Sequence, residues 1–295
     1  MPVNSPAPWQ TIAQQITQVT GQPFHIQERR SVSGGCINQG YCLVDGEQKY
    51  FVKLNQAKQW PMFQAEILGL EAMAATQTIR VPHPICHGSF AGHSYLVLEW
   101  LEFGRGSHDS WYRMGQNLAA LHQAGGSAQF GWQIDNTIGA TPQPNPWTDS
   151  WADFFAEHRL GYQLALARRR GGNFLDPAVV VPQVKELLGD RQPTPALVHG
   201  DLWSGNGAIL TTGEPVILDP ATYYGDGEVD LAMTELFGGF PAGFYQGYHS
   251  ISPPEPGYQQ RKILYNLYHI LNHFNLFGGG YQQQAQQMLK QCLRI

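Results

Sequence analysis

The sequence predicts an α+β fold of two lobes, an antiparallel-sheet lobe over residues 1–101 followed by a mainly helical lobe over residues 102–295. Three observations lead there. The first third alternates apolar and polar residues in strand-length runs, the remainder repeats apolar residues at helical spacing, and a strand ending in EWLEFGRG at 99–106 makes a Gly-punctuated joint between them. A chain of 295 residues is long enough to bury a substantial core and to hold a cleft between lobes.

The elements follow in order. Residues 24–32 and 40–45 read as strands flanking SGGCIN, and YFVKLN at 50–55 is a third strand that carries Lys53. FQAEILGLEAMAA at 63–75 has helical spacing, with Glu66 and Glu71 on it. Prolines break VPHPICHGSF at 81–90 into a loop, and HSYLVLEWL at 93–101 resumes as a strand. Beyond the joint, residues 111–123 and 151–169 read as amphipathic helices separated by the loop TPQPNPW, and residues 261–277 as another. The cluster Arg168-Arg169-Arg170 suits a helix C-terminus, where cations oppose the negative end of the dipole. QQQAQQ at 282–287 is the exposed face of a last helix, and no internal repeat is visible.

Composition excludes several classes. With a formal charge of −5 and only 18 Lys and Arg, no basic surface points to nucleic acid or an acidic membrane. MPVNSPAPWQ has neither the basic nor the apolar region of a secretory leader, and no run reaches the ~18 apolar residues of a membrane span. Cys36, Cys42, Cys86 and Cys292 are scattered without metal-site or disulfide-scaffold spacing. The expectation is a cytoplasmic protein. No motif assigns an oligomeric state.

Chemistry concentrates in LVHGDLWSGN at 197–206. A buried-strand pair, Leu197-Val198, delivers His199-Gly200-Asp201, and Asn206 stands five positions after the aspartate. After the turn TTGEP, the apolar run Val216-Ile217-Leu218 delivers Asp219 and Pro220, so the two strands read as a hairpin that aims oxygen ligands at one point. Phosphoryl transfer from ATP needs that set: a carboxylate to take the acceptor hydroxyl's proton, and hard oxygen ligands for magnesium. The protein kinase catalytic loop spaces its aspartate and asparagine identically, and Asp219 then stands where those enzymes hold a second metal-binding aspartate.

The first third supplies the matching parts. A strand lysine among apolar neighbours needs an anionic partner, which makes Lys53 a phosphate contact paired with Glu66, or failing that with Glu71. Gly34 and Gly35, in the turn between two strands, drape backbone amides over phosphates or serve an ordinary hairpin. Glu99, Trp100 and Leu101 fall at the joint, where backbone groups meet adenine. Cys36 sits in the same turn, either as a small filler or as a redox-sensitive thiol whose thiolate is favoured by free amides and Lys53 when nucleotide is absent.

With those residues in hand, the chain resembles the fructosamine kinase (ketosamine-3-kinase) family, a branch of the protein-kinase-like fold that includes aminoglycoside phosphotransferases. The resemblance runs from about residue 20 to 281 on VSGGCIN, FVKLN, FQAEILGLEAM, LVLEWL, FGWQIDNTIG, WADFFAEHRLGYQL, HGDLWSGN, VILDPATYYGDGEVDLAM, ELFGGFP and LYHILNHFNLFGGGY. It implies that Asp201 accepts the proton, Asn206 and Asp219 hold magnesium, Lys53 contacts phosphate, residues 99–101 bind adenine, and Asp230 anchors the catalytic loop's backbone. ATP and magnesium are the implied cofactors. The implied substrates are ketosamines, free or protein-bound, of the fructosamine, ribulosamine or erythrulosamine type. Phosphate on C3 lies beyond the C2 carbonyl from the C1 hydrogens, so it leaves by elimination and releases the amine, a deglycation. Trp203 offers an apolar wall for a sugar face. His269 and His273 share one helix face and line the pocket or make structural hydrogen bonds. An aminoglycoside or other amino-alcohol kinase would keep every one of the ATP-site residues. A protein kinase fits less well, because Gly200 replaces the usual arginine and no A-P-E segment follows Asp219. A nonenzymatic nucleotide-binding module would lose Asp201, Asn206 or Asp219, and all three are present.

Overall fold

The computed structural model describes residues 8–32, 37–124 and 126–293. Helix α1 (Pro8–Thr20) leads into strands β1 (Glu28–Val32), β2 (Gln39–Asp45) and β3 (Gln48–Gln56), then helix α2 (Trp60–Ala75) and strands β4 (Pro84–Phe90) and β5 (His93–Glu99). The five strands form one antiparallel sheet in the order β1-β2-β3-β5-β4. Alternation splits β3 and β5 between two faces. Val52, Leu54, Tyr95 and Val97 pack outward with Ile12 and Ile16 of α1, while Leu96 and Leu98 pack inward with Phe63, Ile67 and Leu70 of α2. Lys53 therefore stands on the inner face.

One expectation is corrected here, and one helix is added. The segment 81–90 is not all loop, since Pro84–Phe90 forms edge strand β4. Proline costs an edge strand little at its first residue, where the missing N–H breaks no interior ladder, and a register irregularity between Pro84 and Cys86 absorbs the misfit. Helix α1, absent from the sequence reading, covers the outer face and explains why β3 and β5 are apolar on both sides.

The second lobe begins with α3 (His108–Ala124) and a small hairpin, β6 (Asn136–Ile138) with β7 (Thr141–Gln143). Next come α4 (Trp151–Asp153), a π-helical segment Phe154–Gly161, α5 (Tyr162–Arg169) and α6 (Pro177–Leu188). Four short strands follow, β8 (Ala196–Val198), β9 (Gly207–Ile209), β10 (Pro215–Ile217) and β11 (Tyr223–Gly225), then α7 (Glu228–Leu236), α8 (Ala242–Ile251), α9 (Tyr258–Phe277) and α10 (Tyr281–Cys292). Helix α9 runs through the centre of this lobe, buried along most of its length. Among the described residues no helix is long and apolar enough to cross a membrane.

The strands before Asp201 and Asp219 are not hairpin partners, contrary to expectation. β8 pairs with β11, and β10 with β9. Three-residue strands carry too little pattern to fix a partner, and loop contacts bring the two turns together instead. Leu218 N donates to Asn206 O at 2.9 Å, and Ala221 N to His199 O at 2.8 Å.

Candidate active site

Asp230, near the start of α7, organises the loop before Asp201. Its carboxylate accepts from His199 N at 2.6 Å and Gly200 N at 2.8 Å, and lies 3.1 Å from His122 Nε2. Burial alone would raise its pKa, but the His122 hydrogen bond, the neighbouring histidines and the Gly200 N–H reverse that and hold it below the usual value. Gly200 has φ +80°, and a Cβ there would lie 2.2 Å from Ala221 O, so only glycine makes the turn. The buried His199 ring meets Leu218 O through Nε2 at 2.7 Å and accepts from Asp201 N through Nδ1 at 3.2 Å, which fixes a neutral tautomer with its proton on Nε2. Burial lowers its pKa in keeping with that.

The half-buried Asp201 carboxyl is raised well above an ordinary aspartate, first by burial and then by the negative charges of Asp219 and Asp230, against a smaller lowering from Asn206. Asn206 donates Nδ2 to Asp201 O at 2.8 Å, with a longer approach of 3.4 Å to Asp201 Oδ2. Its Oδ1 receives no hydrogen bond among the described residues. Asp219 adopts φ +55°, and its side chain remains 51% exposed, open to a ligand.

Lys53 crosses from the sheet to meet both helix and turn. Its Nζ donates to Glu66 Oε1 at 2.6 Å and also to Asp219 Oδ1. Burial would depress the lysine, yet the charges of Asp219 and Glu66 outweigh it and keep the ammonium protonated. Glu66 shares that single cation while buried, so burial holds its pKa above the usual range. Glu71 is exposed and plays no part.

At the joint the three residues divide. Glu99 N donates to His83 O at 3.0 Å, and the Glu99 side chain is held by Arg80 and by His83 N at 2.7 Å, so this residue stitches β5 to the loop before β4. The N–H groups of Trp100 and Leu101 bond to nothing among the described residues. Trp100 Nε1 and Lys49 Nζ both donate to Glu102 Oε1, at 2.8 and 2.7 Å, lining a cavity of about 400 Å³ with Val32 and Cys42. Gly34, Gly35 and Cys36 lie outside the described residues.

An aromatic wall extends from the loop. Trp203 folds over Gly205 and meets Phe237 edge-on at 6.4 Å, and Phe237 lies 4.9 Å from the His273 ring. His273 Nδ1 bonds to His269 O at 2.8 Å, and burial pushes His269 down to about 3. Sequence reasoning missed Gly69 of α2, where a Cβ would lie 2.6 Å from Thr222 Oγ1, and a set of buried amides described below. No local signal marks either.

The donor set suits a nucleotide-bound magnesium ion, a hard cation that prefers oxygen ligands. Among the described residues no cluster of three His, Cys, Asp or Glu side chains is able to hold a metal by itself. None is needed, because magnesium at such sites takes one or two carboxylates and completes its shell with phosphates and water.

A five-stranded sheet above a helical lobe, with a lysine–glutamate pair reaching down to the loop carboxylate of Asp219, defines an ATP-dependent phosphotransferase of the protein-kinase-like fold. More narrowly, the chain belongs to the fructosamine kinase family, which it matches over residues 8–295. It is 95% identical over 295 residues to a Synechocystis sp. protein named as a ketoamine kinase candidate, with all of both chains covered. It is 43% identical to the chloroplastic protein-ribulosamine 3-kinase of Arabidopsis thaliana, covering 93% of this chain and 85% of that one. A crystal structure from Haemophilus somnus 129PT, named as a fructosamine-3-kinase candidate, superposes with a TM-score of 0.92 at 34% identity over 97% of this chain and 98% of the other.

Proposed function

We propose that this protein transfers the γ-phosphoryl group of ATP to the C3 hydroxyl of ketosamines, with lobes divided at residues 101 and 102 and the reaction in the cleft between them. The observation that carries the reading is the meeting across the joint of Lys53 with Asp219, beside Asp201 and Asn206, in a loop held by His199 and Asp230. Asp201 accepts the hydroxyl proton as the bond to phosphorus forms. Its raised pKa makes it a stronger base than a free aspartate. Asn206 through Oδ1 and Asp219 through its exposed carboxylate hold magnesium. Lys53, kept cationic by Glu66, turns to phosphate oxygens, and the free N–H groups at Trp100 and Leu101 read adenine. Bound magnesium-ATP supplies the phosphoryl group and a charge that offsets the triphosphate.

Trp203 and His273, on either side of Phe237, offer aromatic surface to the sugar or its amine. The product loses a C1 proton to form an enaminol, which expels inorganic phosphate from C3, and water then hydrolyses the C1–nitrogen bond left as an imine to free the amine, so the activity is a deglycation. The free thiols Cys42, Cys86 and Cys292 suit a reducing, cytoplasmic setting. The test is ATP consumption against fructosamine, ribulosamine and erythrulosamine forms of one amine, beside an aminoglycoside, with the phosphate's position read by NMR. Turnover of the ketosamines with phosphate on C3 is expected. Turnover of the aminoglycoside alone would overturn the substrate class.

A further inference from the structure

Asp219 holds a conformation that its sequence resists. A non-glycine residue at φ +55° is uncommon, and the residue before a proline is steered toward extended backbone, yet Asp219 precedes Pro220. Such a state persists only where its surroundings over-determine it. On the N-terminal side the catalytic loop does this, with Asn206 O taking Leu218 N and His199 Nε2 meeting Leu218 O. On the C-terminal side two carbonyls are gripped from elsewhere. Gln143 Nε2 donates to Ala221 O at 3.1 Å, and Asn136 Nδ2 to Thr222 O at 2.8 Å.

Asn136 and Gln143 face each other across the β6–β7 hairpin, and their amides are joined, Gln143 Nε2 to Asn136 Oδ1 at 2.8 Å. Behind them lies a chain whose direction is fixed at every link. Arg159 Nη2 donates to Asn145 Oδ1 at 2.6 Å, Asn145 Nδ2 donates to Asn136 Oδ1 at 2.9 Å, and Asn136 passes the polarity on to Thr222 O. Arg159 is 0% exposed and has no carboxylate partner among the described residues. It is held by Pro144 O at 2.7 Å and by the faces of Tyr223 and Phe154, 4.1 and 4.5 Å from its carbon. A π-helical segment, a form common at functional sites, delivers it inward. Hydrogen bonds in series polarise one another in a low-dielectric interior, so an unneutralised cation at one end strengthens the grip at the other. Tyr268 OH closes the set on Gln143 Oε1 at 2.5 Å, from the residue beside His269.

We infer that Arg159, Asn145, Asn136 and Gln143 form a positioning relay that sets the backbone beyond Asp219 and so aims its carboxylate at the metal. The inference rests on the proposed reading of Asp219 as a metal ligand. The experiment titrates magnesium against binding of a fluorescent, non-hydrolysable ATP analogue to the full chain, with thermal unfolding measured in parallel. Partners that orient metal ligands cost about tenfold or more in metal affinity when removed. Asn136→Leu and Gln143→Met are each expected to raise the magnesium concentration for half-maximal binding by about tenfold, leaving metal-free affinity unchanged. Because the links act in series, Asn145→Leu should add little to Asn136→Leu. Asn136→Ser, which lets water bridge the gap, serves if the leucine variant does not fold. Asp219→Ala is the control. If it leaves the magnesium dependence intact, the metal reading itself fails. If it abolishes that dependence while the amide variants lose only thermal stability, the relay is purely structural and the inference is overturned.

Discussion

A methyl group at Gly69 should uncouple helix α2 from the turn that follows Asp219. An added Cβ would lie 2.6 Å from Thr222 Oγ1 and 3.1 Å from Thr222 Cβ, where ordinary contact begins at 3.4 Å, so the gap must widen by about 0.8 Å. Thr222 is 1% exposed and stiff about its first side-chain bond, so the helix must retreat. Glu66 lies one turn earlier on that helix, and its carboxylate is 2.6 Å from Lys53 Nζ. Overpacking costs roughly 1–3 kcal/mol, while alanine gains up to about 1 kcal/mol over glycine within a helix. A net loss of about 1 kcal/mol in stability is expected for Gly69→Ala. Turnover should suffer more, by roughly tenfold to a hundredfold, since a displacement near 1 Å at a positioned group has effects of that size. Thr222 Oγ1 has no hydrogen-bond partner among the described residues, so Thr222→Ala strands nothing and makes room for the new methyl. Urea unfolding and steady-state kinetics on the two single variants and the double variant complete a cycle. Full activity in Gly69→Ala, or a double variant no better than Gly69→Ala alone, would refute the coupling.

Two further outcomes are expected. Asp201→Asn should bind nucleotide like the parent while turnover drops by roughly two to four orders of magnitude, the scale of a general-base contribution; undiminished turnover would remove Asp201 from proton transfer. Burial holds His269 at a pKa of about 3 against the usual 6.5, so the unfolded chain takes up a proton first as pH falls. Stability from this group is complete above pH 6.5 and declines toward pH 3, by an amount on the order of 5 kcal/mol at the limit. Urea midpoints between neutral and mildly acidic pH should fall less steeply in His269→Gln, and an unaltered slope would count against this origin.

Local chemistry was legible in the sequence where the residues that matter are close in the chain. The interval from Asp201 to Asn206, a lysine inside an apolar strand and a glutamate on the following helix are all readable from spacing, and the structure pairs Asn206 with Asp201 and Lys53 with Glu66. Strand pairing was not legible. A stretch such as Ala196–Val198 satisfies any buried neighbour, and its partner turned out to be Tyr223–Gly225 rather than Pro215–Ile217. Prolines hid β4 because their cost depends on whether a strand lies at an edge, which is known only once the sheet is assembled. Asn136, Gln143 and Asn145 were hidden in a stretch rich in turn residues, since a buried amide is distinguished from a solvated one only by the atoms it meets across the fold.

Gly200 sets a boundary on how this enzyme is controlled. In protein kinases the residue before the catalytic aspartate is an arginine, and phosphorylated activation loops become ordered through new pairs with arginine. Here any side chain at that position would strike Ala221 O at 2.2 Å and force a left-handed backbone on a residue with a Cβ. The docking point for such a signal is closed by geometry. Catalytic readiness is instead written into the resting chain by Asp230, which already holds His199 and Gly200.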